Sequence, residues 1–218
     1  MSRDKLQKDF WESRQIIKRR HPSHPVVEAF VTPKIQFIQK NVPLTKDTTL
    51  LDVGCGNGFF TYYFAEICQV TGLDFSKQML AINPHDKLVQ GNAENLPFTD
   101  ESFDITFCSD LLHHLKDHKK ALQEMKRVAK KYVVISEPNR NNPFIFFFSL
   151  IKKEERGALK FTKNYLINLG QSLGLKVVNC SVTGLVFPNK TPKMLLPILK
   201  NLEFQQPWGG IIAVIFKK

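Results

Sequence analysis

The stretch Leu50-Leu-Asp-Val-Gly-Cys-Gly-Asn-Gly58 decides the fold of this 218-residue chain. A short apolar run leads directly into three glycines at alternate positions, and Phe59–Cys68 follows with the pattern of a helix. Glycine permits a tight turn and lets a ligand approach the backbone near the first turn of that helix. The dinucleotide fingerprint places its third glycine one residue later, where Phe59 stands. The stretch therefore predicts a strand–turn–helix unit and argues against a dinucleotide as the ligand.

Two carboxylates flank the predicted turn. Asp52 precedes the glycines and would repel a phosphate group, so it favours a cationic ligand. Asp74 lies at the end of a second predicted strand, Gln69–Phe75, where an acidic residue can accept hydrogen bonds from both hydroxyls of a ribose. The alternative for Asp74 is a helix cap or a surface carboxylate. A glycine turn with these two carboxylates suits a nucleoside that carries positive charge.

Predicted strands and helices alternate on both sides of this unit. Further strands are predicted at residues 87–90, 103–109 and 132–136, with a short helix at 77–82 and an amphipathic helix at 117–131. Such alternation is typical of a parallel, doubly wound α/β sheet. Two more strands, at 175–183 and 210–216, are separated by a Pro-containing excursion and suit a hairpin-like pair that closes the sheet.

The domain organisation follows from the same pattern. Residues 1–44 are predicted to form a helical N-terminal cap, in which Thr32 caps a helix that begins at Pro33. Residues 45–218 are predicted to form one domain, since a chain of this length suits about one large domain. Loop residues after Pro138 indicate an insertion around 139–160.

The composition is that of a globular protein, with 43% hydrophobic and 23% charged residues. Residues 1–20 show no apolar signal segment, and the longest apolar run, Phe144–Ile151, is too short to span a bilayer. The four cysteines have neither CxxC nor metal-type spacing. We therefore expect a soluble, cytoplasmic protein with free thiols, no transmembrane segment and no bound metal.

The net charge of +11 is unevenly distributed. Residues 47–115 carry two Lys/Arg against ten Asp/Glu, so this segment has a net charge of −8 and the rest of the chain has +19. The glycine motif lies in the acidic segment, whereas a site for a polyanion is expected to carry positive charge. The basic remainder is compatible with RNA, with an acidic membrane surface, or with solubility alone.

Several blocks in order carry a family resemblance. The chain resembles the class I S-adenosylmethionine-dependent methyltransferases, particularly the small-molecule group that includes quinone-biosynthetic methyltransferases. The matching blocks are Leu51–Gly58, Gly72-Leu-Asp-Phe-Ser76, Gly91-Asn-Ala-Glu-Asn-Leu-Pro-Phe98, Ser102-Phe-Asp104, Leu112-His-His-Leu115 and Val134-Ile-Ser-Glu-Pro138. The resemblance covers about residues 45–140. It implies a seven-stranded Rossmann-like sheet of order 3-2-1-4-5-7-6 with the last strand antiparallel.

The resemblance also implies S-adenosylmethionine as the cofactor and S-adenosylhomocysteine as its product. The glycines of Gly54–Gly58 would contact the methionine portion and approach the ribose, Asp52 would lie near the ammonium group, and Asp74 would bind the ribose hydroxyls. Asn92 and Ala93 would contact the adenine; the family often has Asp in place of Asn92, whose amide can still accept a hydrogen bond. The expected cofactor-binding residues are Asp52, Gly54, Gly56, Gly58, Asp74, Phe75, Asn92, Ala93 and Ser109.

The segment after the fourth predicted strand is expected to face the methyl group. Ser109 and Asp110 would border it, and His113 and His114 are the candidates for a catalytic base. A structural, hydrogen-bonding role is the alternative for both histidines. His114 and His118 are four residues apart and could bind a metal from a helix, but the sequence offers no third ligand.

The expected activity is methyl transfer to a small-molecule acceptor, with an apolar or lipid-like acceptor as one option. The alternatives are an RNA methyltransferase, a non-catalytic cofactor-binding protein and, more distantly, a nicotinamide oxidoreductase. RNA is not favoured, because Ser109-Asp-Leu-Leu112 differs from the Asn-Pro-Pro-aromatic sequence of base amino-group methylators. The sequence also shows neither a Pro-Cys nucleophile nor an RNA-binding module.

The Phe-rich run Phe144–Ile151 is the most individual feature of the chain. We predict a buried helix or lid that packs over the sheet, because such runs are most often buried. The alternatives are the wall of an apolar acceptor pocket, or a membrane-facing patch flanked by Lys152 and Lys153 that would make a peripheral membrane contact.

Overall fold

The computed structural model describes residues 9–10, 12, 19–200 and 205–218. In chain order the strands and α-helices are α1 (Pro25–Asn41), β1 (Thr49–Val53), α2 (Phe59–Phe64), β2 (Gln69–Asp74), α3 (Lys77–Ala81), β3 (Leu88–Gln90), β4 (Phe103–Ser109), α4 (His118–Val128), β5 (Ala129–Pro138), α5 (Pro143–Ile151), α6 (Lys163–Ser172), β6 (Lys176–Thr183), α7 (Leu196–Lys200) and β7 (Ile211–Lys217). Short 3-10 helices occupy Leu112–His114, Lys153–Lys160 and Lys193–Leu195.

The described strands form one seven-stranded sheet in the order β3-β2-β1-β4-β5-β7-β6. β1 pairs in parallel with both β2 and β4, and β7 runs antiparallel to its neighbours β5 and β6. The expected fold class, strand order and antiparallel last strand are confirmed. Because parallel strands end at the same edge, the segments after β1, β2, β4 and β5 meet there.

Helices cover both faces of the sheet, and each face buries its own apolar cluster. Alternate residues of β1 point to opposite faces, so Leu51 and Val53 join one cluster while Leu50 joins the other. The apolar stripe of α4 packs on the first face, and α1 packs with α2 on the second. Burial on both faces explains why the central strands are apolar throughout.

Helix α1 begins earlier than predicted. His24 is its N-cap, and its Nδ1 accepts a hydrogen bond from the Val26 N–H, at 3.1 Å. Pro33 lies inside the helix, so the predicted start at Thr32 and Pro33 is wrong. The helix continues through Pro33 because residues on both sides of it are buried against the sheet, and such packing outweighs local propensity. Residues 1–8, 11 and 13–18 of the expected N-terminal cap lie outside the described residues.

The Phe-rich run forms α5, whose N-cap Asn142 accepts a hydrogen bond from the Ile145 N–H. The helix was expected, but its burial was not predicted correctly: among its nine residues only Ser149 is buried. Phe144, Phe147 and Ile151 are 75%, 62% and 75% exposed. A run with almost no polar residue carries no periodicity that shows which side faces the protein.

Candidate active site

The glycine turn after β1 requires glycine at three positions. Gly54, Gly56 and Gly58 have φ values of 74°, 52° and 88°, which L side chains rarely adopt. A Cβ at Gly58 would lie 2.5 Å from the Asn83 Oδ1. The N–H groups of Gly54 and Cys55 both donate to the Leu73 carbonyl, at 2.7 and 3.0 Å, so the turn is fixed to the end of β2.

Asp74 joins this turn to the end of β2 through its carboxylate. Its Oδ2 accepts a hydrogen bond from the Gly56 N–H, and its Oδ1 accepts one from the Ser76 N–H, both at 2.8 Å. Burial raises the pKa of Asp74, while these backbone donors favour its ionised form. Each carboxylate oxygen can accept more than one hydrogen bond, so both retain capacity for a ligand.

Asp52 is more deeply buried than Asp74. Its Oδ2 accepts a hydrogen bond from the Thr61 hydroxyl of α2, at 2.6 Å. Burial raises its pKa to about 7, even though the Thr61 hydrogen bond acts in the opposite direction. The side chain therefore sits near its protonation midpoint at neutral pH and would be ionised more completely beside a cation.

The segment after β3 lies next to the end of β2, because the Gly91 N–H donates to the Asp74 carbonyl at 3.0 Å. The Asn92 side chain closes a local turn by accepting a hydrogen bond from the Glu94 N–H, at 2.9 Å. Ala93 is buried, so Asn92 alone of this pair has an exposed side chain.

These segments surround one cavity of about 970 Å³. Its volume lies at the upper end of the range for small-molecule sites. Eight of the nine expected cofactor residues line it: Asp52, Gly54, Gly56, Asp74, Phe75, Asn92, Ala93 and Ser109. The ninth, Gly58, is not in the cavity wall; it is the N-cap of α2 and lies against Asn83.

Glu137, at the end of β5, organises the segment that follows β4. Its Oε1 accepts hydrogen bonds from the Leu111 and Leu112 N–H groups, at 3.0 and 2.7 Å. Its Oε2 lies 2.6 Å from the His113 Nδ1. On the other side of the ring, the His113 Nε2 lies 3.4 Å from the Glu155 Oε2. His113 is thus held between two carboxylates.

This arrangement fixes the charge of both histidines. Burial acts to lower the pKa of His113, but the charge and hydrogen bond of Glu137, with the hydrogen bond of Glu155, raise it to about 10. Burial and the charge of His113 lower the pKa of His114 to about 3. At neutral pH the His113 ring is therefore protonated and the His114 ring is neutral. Neither ring therefore has the protonation behaviour of a general base.

Sequence reasoning did not predict the partners of these histidines. Glu155 comes from the 3-10 helix after α5, and nothing in the sequence places it against His113. In the possible metal pair His114 and His118, the His118 Nε2 is hydrogen-bonded to the Tyr165 hydroxyl. His113, His114 and Glu155 have ligand atoms within 4.8 Å of one another. They could approach a metal ion only after His113 lost its proton, since the protonated ring has no lone pair.

Another part of the cavity wall is apolar. Phe144, Ile145 and Phe148 of α5 line it together with Phe187 and Pro188. The Lys190 ammonium nitrogen lies 3.1 Å from the Phe148 ring centroid, in a cation–π contact. Arg19, which the sequence did not single out, also lines this cavity.

Comparison with known proteins agrees with this geometry. Residues 51–135 match the family described as methyltransferase domain. They contain the glycine turn, Asp74 and the segment that Glu137 organises. Residues 51–135, less than half of the chain, are similar to a methyltransferase domain. The expected resemblance is confirmed, and S-adenosylmethionine is the cofactor of this class.

Relatives and solved structures are similar to this chain to different extents. A demethylmenaquinone methyltransferase of Staphylococcus aureus strain JH9 is 38% identical over 104 residues, covering 43% of this chain and 43% of the relative. The chain thus aligns with less than half the length of that relative. A solved structure from Thermotoga maritima is described as a SAM-dependent methyltransferase and possible histamine N-methyltransferase. It has a TM-score of 0.68 and 21% sequence identity to this chain, and the match covers 88% of this chain and 92% of the Thermotoga maritima chain. A methyltransferase of Aquifex aeolicus has a TM-score of 0.63 at 16% identity, covering 100% and 98%.

The match to the methyltransferase domain ends before α5 begins. It therefore includes the glycine end of the cavity but not the aromatic wall that α5 supplies. Within the described residues, no helix is both long enough and apolar enough to cross a membrane.

Proposed function

We propose that this protein transfers the methyl group of S-adenosylmethionine to a small apolar acceptor. The observation that carries the proposal is the single cavity of about 970 Å³, which has two chemically different ends. The glycine turn and Asp74 form one end, and the aromatic rings of Phe144, Phe148 and Phe187 line the other. A cofactor and an apolar acceptor can therefore occupy one continuous cavity.

The residues of the glycine end are proposed to hold and orient the cofactor. Asp74 would accept hydrogen bonds from the ribose hydroxyls through the remaining lone pairs of its two oxygens. Asp52 would face the ammonium group, and a cation there would favour its ionised form. Asn92 and Ala93 would contact the adenine, and Ser109 would border the reacting methyl group.

When bound, S-adenosylmethionine supplies a sulfonium methyl group that an acceptor nucleophile attacks in line. The protein mainly contributes proximity and alignment, because the reacting groups lose charge rather than gain it. Carboxylates near the methyl group therefore serve binding more than stabilisation of the transition state. The aromatic wall would keep water away from the acceptor.

An acceptor that must lose its proton needs a base, and we propose Asp110 for this role. Asp110 follows β4, lines the cavity, and is the residue next to Ser109. Burial raises its pKa to about 6, so it is ionised at neutral pH yet able to hold a proton. His113 and His114 are proposed instead to position the segment that carries Asp110. His113 does so through Glu137 and Glu155.

A hydroxylated aromatic ring with an apolar tail, as in a reduced quinone, fits the acceptor end best. The aromatic lining favours such a ring, and the similar Staphylococcus aureus protein is named for a quinone acceptor. We also place the protein in the cytoplasm. The four cysteines, all within the described residues, are unpaired, which supports a reducing compartment.

The proposal is tested by calorimetry and by transfer of a labelled methyl group. We expect S-adenosylhomocysteine to bind, and label from S-adenosylmethionine to enter the organic extract when a demethylated naphthoquinol is offered. Asp74→Ala should weaken cofactor binding by roughly 10-fold to 100-fold, since hydrogen bonds to a charged group contribute about 1.5–3 kcal/mol. Asp86→Ala, an exposed carboxylate near the end of α3, is the control. Absence of cofactor binding, or label found only in added RNA, would overturn the proposal.

A further inference from the structure

Helix α5 presents an apolar face to solvent. Phe144, Phe147 and Ile151 are spaced three and four residues apart, so they lie along one side of the helix. They are 75%, 62% and 75% exposed, and Phe146 and Leu150, which are four residues apart and also exposed, extend the face along one edge. We call these five side chains the α5 face. A contiguous apolar surface of this kind marks an interaction site more often than an accidental exposure.

The α5 face is bordered by positive charge. Lys152 and Lys153 follow directly after the helix, and both are exposed. Residues 139–200 contain ten Lys/Arg against two Asp/Glu, and one of those two acids, Glu155, is turned inward against His113. Lys190 is also exposed and lies over the ring of Phe148, on the inner side of the same helix.

A third feature fixes the helix in place. The Asn142 side-chain amide donates to the Trp208 carbonyl at 2.7 Å, and Asn139 donates to the carbonyls of Pro207 and Gly209. The loop that carries Trp208 is thereby held at the start of α5, and the Trp208 side chain is 59% exposed. Tryptophan has an apolar body with a polar N–H and is favoured where lipid meets water.

We propose that the α5 face docks this protein onto an anionic lipid bilayer. The aromatic and aliphatic side chains would enter the headgroup boundary while Lys152 and Lys153 contact lipid phosphates. A helix of nine residues is about 13 Å long and can lie in the interface but cannot span it. The charge border favours lipid over a protein partner, because basic residues are attracted by the negative surface potential of an anionic bilayer.

Docking in this way connects the bilayer with the cavity. Phe144 belongs both to the α5 face and to the cavity wall, so the apolar end of the cavity opens beside the surface that would contact lipid. An acceptor dissolved in the bilayer would then reach the cavity without crossing water. This second step rests on the proposed function, whereas the docking itself does not.

The test uses the full chain with vesicles and no cofactor. Vesicles of phosphatidylglycerol and phosphatidylcholine in equal amounts are compared with phosphatidylcholine alone, and bound protein is measured by co-sedimentation. We expect binding to the anionic vesicles, weakened at least 10-fold in Phe147→Ser/Ile151→Ser, whose two residues are outside the cavity wall. The matched control is Val177→Ser/Val178→Ser, two exposed residues of β6. Lys152→Glu/Lys153→Glu should remove the preference for anionic vesicles.

Two further measurements separate the outcomes. Sedimentation velocity on the same proteins detects self-association; a dimer that is lost in Phe147→Ser/Ile151→Ser, without vesicle binding, would assign the face to a second copy and overturn the proposal. Wild-type protein that ignores anionic vesicles, or a Phe147→Ser/Ile151→Ser variant that binds them fully, would overturn it as well. Calorimetry with S-adenosylhomocysteine should give the same affinity in wild type and in this variant. A failure of cofactor binding in both would remove the proposed function and leave the docking result intact.

Discussion

At the scale of single residues, the ends of β1, β2 and β4 contribute Asp52, Asp74 and Asp110 to the wall of one cavity, whereas Glu137, at the end of β5, is not part of that wall. Asp74 is held by backbone donors, and Asp52 is buried against a hydroxyl. The Glu137 carboxylate is hydrogen-bonded to the His113 ring and to the Leu112 N–H of the segment after β4. Asp110 differs from all three in its place in the cavity wall directly after Ser109; burial raises its pKa to about 6, as it raises that of Asp52 to about 7. Because it lies in the segment after β4, we propose it as the carboxylate that exchanges a proton during the reaction.

Replacing Asp110 tests this assignment. Asp110 has a φ of 52°, a conformation that Asn tolerates as well as Asp does, so Asp110→Asn should leave the backbone in place. We expect kcat to fall by roughly 10²-fold to 10⁴-fold with an acceptor that must lose a proton. Wild-type activity should rise with pH through about 6, because the base acts in its ionised form, and the variant should lack this rise. Affinity for S-adenosylhomocysteine serves as the control, and an unchanged kcat would rule out Asp110 as the base.

The charge of His113 contributes to the stability of the fold. Its folded-state pKa of about 10 exceeds the unfolded value of about 6.5, so the native state retains this proton more strongly. The resulting stabilisation is complete below pH 6.5 and is lost as the pH rises through 10. His113→Gln should lower the free energy of unfolding by about 3–5 kcal/mol at neutral pH, because it leaves Glu137 buried without its charged partner.

The pH dependence distinguishes this explanation from simple loss of packing. The difference between wild type and His113→Gln should shrink with rising pH, at no more than about 1.4 kcal/mol per pH unit between pH 6.5 and 10. Urea unfolding at pH 6, 7.5 and 9 measures it, with His21→Gln, an exposed histidine, as the control. A difference that stays constant across this range would contradict the ion-pair explanation.

At the scale of the elements, α1 and α5 show what the sequence could not decide. The strand and glycine turn of residues 49–58 were predictable because every local signal agrees there. In α1 a strong local signal, Pro33 after Thr32, was outweighed by the burial of residues on both sides of it. In α5 a helix was expected from the Phe-rich run, but its exposure depends on which neighbouring elements cover it.

The interior position of Pro33 predicts a stabilising substitution. Proline at this point cannot donate to the Ala29 carbonyl four residues earlier, and its ring crowds that carbonyl. Pro33→Ala should restore the hydrogen bond and raise the free energy of unfolding by about 1–2 kcal/mol, part of the gain being offset by a more flexible unfolded chain. Urea denaturation measures the change. Pro84→Ala, outside any helix, is the control, and a loss of stability in Pro33→Ala would show that the proline shapes α1 for its packing.

At the scale of the whole molecule, different parts of the chain form the two ends of the cavity. The acidic segment 47–115 supplies the end with the glycine turn, and its motifs were recognisable because each is contiguous in sequence. The aromatic end is assembled from α5 and residues 187–190, which are far apart in the chain and carry no motif. Glu155 and His113 are also far apart in the sequence, so their contact is visible only in the folded protein. The parts of the site that are built from contiguous residues were therefore predictable from the sequence. The parts that are assembled from residues far apart in the sequence were not.

This division predicts how ligands change the stability of the whole chain. Because the glycine turn, the end of β2 and the segment after β4 all line one cavity, a ligand bound there stabilises the native state as a unit. S-adenosylhomocysteine at 100 times its Kd should add about 2.7 kcal/mol, which for a domain of this size raises Tm by about 5–10 °C. NADH at the same concentration should leave Tm unchanged, because its pyrophosphate would meet the Asp52 and Asp74 carboxylates. Thermal unfolding followed by circular dichroism measures both shifts, and an equal rise with NADH would favour the nicotinamide alternative instead.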